Sequence, residues 1–414
     1  METKESYIYI HIPFCLKKCR YCDFYSIPYS TGLETAYVSA LLREIQMRRS
    51  EISKIRTLYF GGGTPTVMSK GSFSAIMSTL YDNFDFHPDS EITVEANPVT
   101  LKHSAHGMTE WLRLSGVNRI SLGVQSFNDK ILKSLGRLHS GNEAREAMRE
   151  LKDIYSNVSL DLMYAIPGQS VGMWKDTVYE ALSFNPTHIS AYELTPEEHT
   201  PLWAELRAGD VSLLDEETII EMYEFLTETL TATGFDHYEI SNYALKERQC
   251  LHNLNYWSRG LYTGLGAAAH SHVAINGCCL TTRYSNAANV RTYTESVNNG
   301  TLPVEEKYIV TGGQAQMERI FLGLRMCYGV RFDKIPAEAA ELISAGLIET
   351  DGRVIKLTEK GFLLSNYVIG QLSEQGFSHP ALEQASPLVI PSCSCCSTKN
   401  YNLASFNVFL HEQP

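Results

Sequence analysis

Three cysteines near the N-terminus, Cys15, Cys19 and Cys22, have a spacing that could do metal chemistry. They directly follow a strand-like run, Tyr7–Ile12. Thiolates are the ligands of iron–sulfur clusters, and a four-iron cluster normally takes four of them. Three thiolates therefore leave one iron free for a substrate, as a catalytic zinc site keeps an open position. The cysteines alone also allow a structural zinc site with His11 as its fourth ligand.

Polar groups at the ends of the later strands favour a ligand site over a structural zinc ion. The glycine-rich turn 61–65 (GGGTP) ends the second strand and lets a ligand approach the backbone closely. The polar side chains near later strands are Glu95, Gln125, Arg137 and Asp161. Because the carboxyl ends of parallel strands meet at one edge of a sheet, we expect all these groups to line one site.

The elements that must position these residues alternate between strand-like runs and segments of helical periodicity. The predicted strands are Tyr7–Ile12, Arg56–Phe60, Glu91–Ala96, Arg119–Gln125, Ser159–Ile166 and His188–Leu194. The predicted helices among them are Glu34–Arg49, Ser72–Tyr81, Met108–Leu114, Gly141–Tyr155 and Met173–Ala181. This order predicts an α/β fold of right-handed βαβ units with a parallel sheet. Six units are too few for an eight-stranded barrel, so we expect an open, three-quarter barrel.

The pattern changes along the chain, which predicts four segments. They are a partial barrel (1–215), a barrel extension (216–304), a winged-helix-like domain (305–375) and a loosely ordered tail (376–414). The extension is predicted to contain a helix (Glu216–Thr233), a short strand (Tyr238–Tyr243) and a loop (Cys250–His272). The tail carries three further cysteines to which we assign no role: Cys393, Cys395 and Cys396.

Composition excludes several classes of partner. The chain has 414 residues, with 35 basic and 47 acidic side chains and a net charge of −12. An acidic chain is a poor nonspecific binder of nucleic acid or anionic lipid, so the winged-helix-like domain is not expected to bind DNA. No run approaches the roughly 18 apolar residues of a membrane helix, and the polar N-terminus does not resemble a signal peptide. We therefore expect a cytoplasmic protein without a membrane anchor, whose ten cysteines serve metal binding or catalysis rather than disulfides.

The motifs resemble those of a known family. The spacing C-x3-C-x2-C together with GGGTP resembles the radical S-adenosylmethionine (SAM) superfamily. Further segments resemble the oxygen-independent coproporphyrinogen III oxidase group and its HemW heme-chaperone branch. These segments are YIHIPFC (9–15), VEANP (94–98), LGVQSF (122–127) and DLMY (161–164). The resemblance runs from about residue 7 to about residue 370.

The resemblance implies a [4Fe-4S] cluster held by Cys15, Cys19 and Cys22, whose free iron takes the amino and carboxylate groups of SAM. It also implies a one-electron donor. The positions that match the family's SAM site are Tyr9, Tyr21, Gly61, Gly62, Gly63, Thr64, Glu95, Gln125, Arg137 and Asp161. Their chemistry fits, because carboxylates suit an ammonium group or ribose hydroxyls, and a guanidinium suits a carboxylate.

Two features separate the two branches of the group. The oxidases carry another cysteine two residues after the third, and here Phe24 stands at that position. The segment 252–257 (HNLNYW) matches the H-N-x-x-Y-W heme motif of the chaperone branch. The heme-binding residues that the resemblance implies are His252, Asn253, Tyr256 and Trp257. Imidazole is a common axial ligand of heme iron, and a Tyr-Trp pair offers a flat apolar surface to a macrocycle.

The resemblance thus implies a protein that binds the cluster, SAM and heme and passes heme to apo-proteins such as membrane respiratory enzymes. We assign no catalytic residue. One alternative is an enzyme, the SAM-dependent oxidative decarboxylation of coproporphyrinogen III. Another is a zinc-stabilised interaction module, which predicts zinc and no iron in the purified protein.

Overall fold

The strands of the protein were located in a computed structural model, which describes residues 5–103, 107–275 and 278–374. The predicted tail, with Cys393, Cys395 and Cys396, lies outside the described residues. The strands are β1 (Glu5–Ile12), β2 (Phe14–Cys15), β3 (Ile27–Pro28), β4 (Lys54–Gly62), β5 (Phe86–Ala96), β6 (Arg119–Gln125), β7 (Val158–Tyr164), β8 (His188–Glu193), β9 (Asp236–Glu239), β10 (Asn242–Ala244), β11 (Thr263–Leu265), β12 (His270–Ala274), β13 (Thr281–Asn286), β14 (Val304–Val310), β15 (Val330–Arg331), β16 (Ile348–Thr350) and β17 (Val354–Leu357).

Helices connect these strands, and many begin at a Ser, Thr, Asp or Asn whose side chain caps the first turn. They are α1 (Thr31–Met47), α2 (Lys70–Asn83), α3 (Pro98–His103), α4 (Met108–Leu114), α5 (Asp129–Ser134), α6 (Gly141–Ile154), α7 (Val171–Ser183), α8 (Pro201–Ala208), α9 (Glu216–Ala232), α10 (Leu251–Trp257), α11 (Val290–Asn298), α12 (Gly312–Gly323), α13 (Ala339–Ser344), α14 (Glu359–Leu363) and α15 (Ser365–Glu374).

Within the described part of the chain, the main sheet has nine strands in the order β11-β1-β4-β5-β6-β7-β8-β10-β9. Its six central strands, from β1 to β8, run parallel, and each was predicted from the sequence. Strand β11 adds in parallel to β1 at one edge, while β10 and β9 add antiparallel strands at the other. The predicted α/β fold with a partial parallel barrel is therefore confirmed. The domain boundaries at residues 215, 304 and 375 stay a prediction.

Two local predictions in the barrel extension are wrong. The segment Tyr238–Tyr243 is divided between the paired strands β9 and β10 instead of forming one strand. The segment Cys250–His272 was expected to be a loop, but it contains α10, β11 and the start of β12. The physical reason is tertiary: the Glu91 carboxylate, on β5, accepts hydrogen bonds from the backbone N–H groups of Leu251 (3.1 Å) and His252 (3.2 Å). This carboxylate satisfies N–H groups that the sequence around α10 leaves unpaired.

The C-terminal part of the described chain packs against the edge of the barrel. It combines α12 to α15 with a three-stranded antiparallel sheet in the order β15-β17-β16. Two backbone hydrogen bonds join it to the barrel, from Ile240 to Arg325 (3.1 Å) and from Cys327 to Tyr238 (3.1 Å). Among the described helices, none combines the length and apolar character that crossing a bilayer would require.

Candidate functional site

A cavity of about 430 Å³ lies within the partial barrel. Its walls include Tyr9 from β1, Glu95 from β5 and Asp161 from β7, and they extend to Trp257 on α10 and Arg325 after α12. Small-molecule sites commonly enclose roughly 300–1,000 Å³. The cavity therefore has the size of a ligand site. It is lined by residues of the barrel, of the motif helix (α10, which carries the H-N-x-x-Y-W motif) and of the C-terminal segment, which begins with α12.

Most of the predicted site residues line this cavity. They are Tyr9, Tyr21, Cys22, Gly62, Gly63, Thr64, Glu95, Gln125, Arg137, Asp161, Asn253 and Trp257. Five others do not belong to its lining: Gly61, Cys15, Cys19, His252 and Tyr256. The structure thus brings all of the predicted SAM residues except Gly61 to one cavity and divides the predicted heme residues into two pairs.

The two cysteines outside the lining contact residues that belong to it. The Cys15 thiol lies 3.6 Å from the Thr64 hydroxyl, and Arg137 donates to Cys19 Sγ over 3.5 Å. Burial raises the pKa of the Cys22 thiol to about 12 and also raises that of Cys15. Within residues 5–103, 107–275 and 278–374, no three His, Cys, Asp or Glu side chains are grouped closely enough to hold a single metal ion.

His11 does not join the cysteines. Its Nε2 donates to the Tyr25 carbonyl over 3.0 Å, and its Nδ1 lies 3.1 Å from the Tyr9 hydroxyl. Both ring nitrogens therefore have partners already. Burial also lowers the pKa of His11 to about 4, so the imidazole is neutral. The zinc arrangement with His11 as fourth ligand is not the one that the structure forms.

The glycine turn, residues 61–65, packs closely against β1 and β2, which lead into the cysteine loop. Gly62 has a φ of +104°, and a Cβ atom there would overlap the ring of His11. A Cβ atom on Gly63 would lie 2.7 Å from the Phe14 carbonyl oxygen. The close contacts require glycine at both positions, because only glycine has no Cβ. At Gly62 the positive φ adds a second reason, because glycine adopts it without strain. The Gly62 N–H then donates to Glu95 over 3.2 Å, which aims a carboxylate at the cavity.

Opposite charges stand at two places on the cavity wall. Glu95 accepts a hydrogen bond from the Tyr59 hydroxyl (2.9 Å), and burial, reinforced by the charge of Asp161, raises its pKa to about 7. Arg137 donates to the Gly123 carbonyl (2.6 Å) and to Asn97, but its Nε has no partner among the described residues. The site therefore offers an anionic wall and a cationic wall to one ligand.

Several buried polar atoms on this wall lack a hydrogen-bond partner within the described chain. They are Arg119 Nε, Gln125 Oε1, Arg137 Nε, Asn242 Oδ1, Asn253 Oδ1, Trp257 Nε1 and Arg325 Nε. Buried polar groups are normally paired, so unpaired ones in a cavity indicate where a polar ligand binds. Gln125 also holds a φ of +63°, an uncommon backbone conformation of the kind found at functional sites.

The H-N-x-x-Y-W helix presents two different faces. His252 is fully buried, and its ring nitrogens lie 2.7 Å from the Thr57 hydroxyl and 2.8 Å from the Tyr256 hydroxyl. Burial lowers the pKa of His252 to about 3. Asn253 and Trp257, each one residue further along, line the cavity instead. His252 thus fastens the helix to the barrel through Thr57, with Tyr256 bonded to its other ring nitrogen from the same helix. Asn253 and Trp257 are the pair that can meet a ligand.

Other residues that line the cavity were not predicted from the sequence. Arg119 and Asn242 belong to strands β6 and β10, while Phe321 and Arg325 come from the C-terminal segment. Arg119 begins a predicted strand, so an inward-facing cation was visible in the sequence. Phe321 and Arg325 carried no such signal, because their place depends on how α12 packs against the barrel.

Comparisons with known proteins place the chain in a family. Residues 9–180 match the Radical SAM superfamily. A heme chaperone HemW from Lactococcus lactis is 36% identical over 382 residues, covering 89% of this chain and 97% of the relative. HemW from Bacillus subtilis is 34% identical, covering 87% and 97%. The solved structure of the Escherichia coli coproporphyrinogen III oxidase HemN, 22% identical, covers 90% of this chain and 91% of its own with a TM-score of 0.76, which shows the shared fold. The chain belongs to the HemW heme chaperone family within the radical SAM superfamily.

Proposed function

We propose that this protein is a heme chaperone that binds a [4Fe-4S] cluster, SAM and heme and transfers the heme to apo-proteins. The observation that carries the proposal is one cavity bordered by both the cysteine loop and the H-N-x-x-Y-W helix. Buried polar atoms of the helix (Asn253 and Trp257) and of Arg137, which contacts Cys19, have no hydrogen-bond partner in the described chain. Relatives named heme chaperone HemW that align over nearly their full length support it.

Cys15, Cys19 and Cys22 would hold the cluster beside the cavity, and the residues present fit this task. The three thiols influence one another electrostatically, and Thr64 and Arg137 contact two of them. Arg137 would offset the negative charge of the thiolates. When bound, a reduced cluster supplies the electron for SAM chemistry, while the protein orients the ligand and shields it from water.

SAM would occupy the part of the cavity between Glu95 and Arg137. The Glu95 carboxylate suits the ammonium group, and the unpaired Arg137 Nε suits the carboxylate. Gln125 and Asp161 suit the ribose hydroxyls, and the turn at Gly62 and Gly63 allows close approach of the ligand to the backbone. Tyr9, Tyr21, Gly61 and Thr64 complete the predicted SAM residues.

Heme would meet the motif helix through Asn253 and Trp257, whose unpaired polar atoms face the cavity. His252 and Tyr256 stay predicted heme residues. For His252 to bind iron, its imidazole would have to leave Thr57 and Tyr256, so ligation would be coupled to a movement of the helix.

The transfer step would take place in the cytoplasm, to apo-proteins such as membrane respiratory enzymes. Docking to such a partner would depend on local surfaces, since the net charge of −12 opposes a general attraction to an anionic membrane. A one-electron donor would reduce the cluster from outside.

Anaerobic assays test this function against its alternatives. The protein reconstituted with iron and sulfide should bind heme in a fixed stoichiometry, take up iron rather than zinc, and pass heme to an apo-protein. With reductant, SAM and coproporphyrinogen III it should form no protoporphyrinogen, because Phe24 lines the cavity where the oxidases of the group carry a cysteine. Catalytic turnover to protoporphyrinogen would instead identify an oxidase. Zinc without iron would identify the interaction module.

A further inference from the structure

One corner of the cavity carries a buried arginine whose Nε has no hydrogen-bond partner among the described residues. We define the Arg325 corner as Trp257, Phe321 and Arg325, which all line the cavity. The guanidinium carbon of Arg325 lies 5.0 Å from the centre of the Trp257 ring and 5.6 Å from that of Phe321. The aromatic rings hold the guanidinium by cation–π attraction, which leaves its N–H groups free for hydrogen bonds.

The guanidinium of Arg325 is short of partners in the described chain. Its Nε is buried and has no hydrogen-bond partner there. The Glu239 carboxylate acts on Arg325 through its charge, which opposes the lowering of the pKa of Arg325, while it accepts hydrogen bonds from Ser241 N–H (3.2 Å) and from the Asn242 amide. Burial lowers the pKa of Arg325, whereas nearby carboxylates, thiols and phenols raise the pKa values of the buried Arg48, Arg119 and Arg137. A buried guanidinium donor without a hydrogen-bond partner is costly even with a carboxylate nearby, so an acceptor from outside the described chain is expected.

The backbone fixes this cation in place. Arg325 N–H donates to the Leu322 carbonyl (3.2 Å), and the Arg325 carbonyl accepts from Ile240 N–H (3.1 Å). Phe321 and Trp257 also belong to a small packed cluster between α10 and α12. The position of the guanidinium is therefore set by both the barrel edge and the motif helix, as a preorganised binding group requires.

We propose that Arg325 binds a carboxylate of the ligand that meets the motif helix, and that this carboxylate is a propionate of heme. The proposal rests on the proposed heme-chaperone function and adds to it a residue outside the H-N-x-x-Y-W motif. Trp257 belongs to that motif and contacts Arg325, so a macrocycle seated on Trp257 brings its carboxylates close to the guanidinium. The unpaired Trp257 Nε1–H is a second donor in the same corner. A charge-assisted bond between guanidinium and carboxylate is both strong and directional.

The test compares ferric heme with its dimethyl ester, in which both carboxylates are blocked. We expect the wild-type protein to bind heme about 10- to 100-fold more tightly than the ester. Arg325→Gln should bind both at the level of the ester, and Arg325→Lys should retain part of the preference, because lysine keeps the charge but not the fork of donors. Arg319→Gln is the matched control, since Arg319 is an exposed arginine on α12, the helix that precedes Arg325, and does not line the cavity.

The outcomes separate this proposal from the function on which it rests. A wild-type protein that binds neither heme nor ester overturns both. A wild-type protein that binds heme, with Arg325→Gln keeping the preference for heme over ester, overturns the Arg325 assignment alone. If Arg325→Gln weakens the binding of SAM and leaves heme unchanged, the carboxylate belongs to the amino acid part of SAM, and the propionate assignment is wrong. Unchanged thermal unfolding and cluster absorbance of Arg325→Gln show that the variant is folded.

Discussion

Replacing His252 by alanine should destabilise the protein before heme is ever added. The imidazole lies between the Thr57 hydroxyl (2.7 Å) and the Tyr256 hydroxyl (2.8 Å), and it stacks on the Tyr59 ring with 5.1 Å between ring centres. All of these contacts are inside the barrel, where water cannot replace the lost partner. Loss of heme binding in His252→Ala therefore has two possible causes, a missing iron ligand or a loosened helix.

The size of the effect follows from these contacts. Each buried hydroxyl left without its partner costs about 1–3 kcal/mol. The lost ring stacking adds about 0.5–1.5 kcal/mol. The free energy of unfolding should fall by about 2.5–7.5 kcal/mol, far more than the change of up to about 1 kcal/mol expected for Asn253→Ala. Asn253 is the matched control because it is the neighbouring residue on the cavity face, and its Oδ1 makes no hydrogen bond in the described chain.

Urea denaturation of the cofactor-free variants at neutral pH measures this difference directly. A His252→Ala protein no less stable than Asn253→Ala would refute the structural role of the imidazole. Thr57→Val then separates the two causes, because it removes one anchor and keeps the imidazole. If His252 is an iron ligand, Thr57→Val should retain heme binding while His252→Ala loses it; if the helix must be anchored, both should lose it.

Three further predictions concern the cavity and the buried histidines. Glu95→Gln should stabilise the cofactor-free protein above pH 7 by up to about 3 kcal/mol, because the pKa of Glu95 is about 7 in the folded protein against an ordinary value of 4.5, which makes its ionisation unfavourable to folding. The gain in the free energy of unfolding should vanish as the pH falls to 4.5. Urea titrations above pH 7 and at pH 4.5 check this. Gly62→Ala should lower the free energy of unfolding by at least about 2 kcal/mol, because residue 62 has a positive φ and the added Cβ would overlap His11. Gly71→Ala should cause no such loss, because open space surrounds that position. Thermal unfolding compares the two variants. Buried histidines with pKa values of about 3 to 4 should make the free energy of unfolding fall from pH 6.5 towards pH 4, because the unfolded chain takes up protons that the folded chain excludes. Each such histidine should contribute a loss of about 1.4 kcal/mol per pH unit. Circular dichroism against pH follows this loss, and a flat profile between pH 7 and 5 would contradict it. The histidines concerned are His11, His139, His252, His270 and His272.

The parallel strands could be predicted because each is a short run rich in Ile, Val, Leu or Tyr that lies between segments of helical periodicity. Strand β6, Arg119–Gln125, is buried at every position and was located with its bounds. The residues at the strand ends could be predicted for the same reason, since a parallel sheet places Glu95 and Gln125 at one edge. Helix α10 could not be predicted, because its first N–H groups are satisfied by Glu91, about 160 positions earlier in the chain.

The division of the H-N-x-x-Y-W motif follows from helix geometry once the helix is known. Residues four apart share a face, so His252 pairs with Tyr256, and Asn253 pairs with Trp257. Adjacent residues point about 100° apart, which lets one pair enter the barrel while the other lines the cavity. A ligand that displaces the Trp257 side chain would therefore move the same short helix that the His252–Thr57 hydrogen bond joins to the barrel. Because the Arg325 guanidinium stacks on the Trp257 ring, the same movement would reach the C-terminal segment, so a ligand bound in the cavity would be physically linked to the surface around α12.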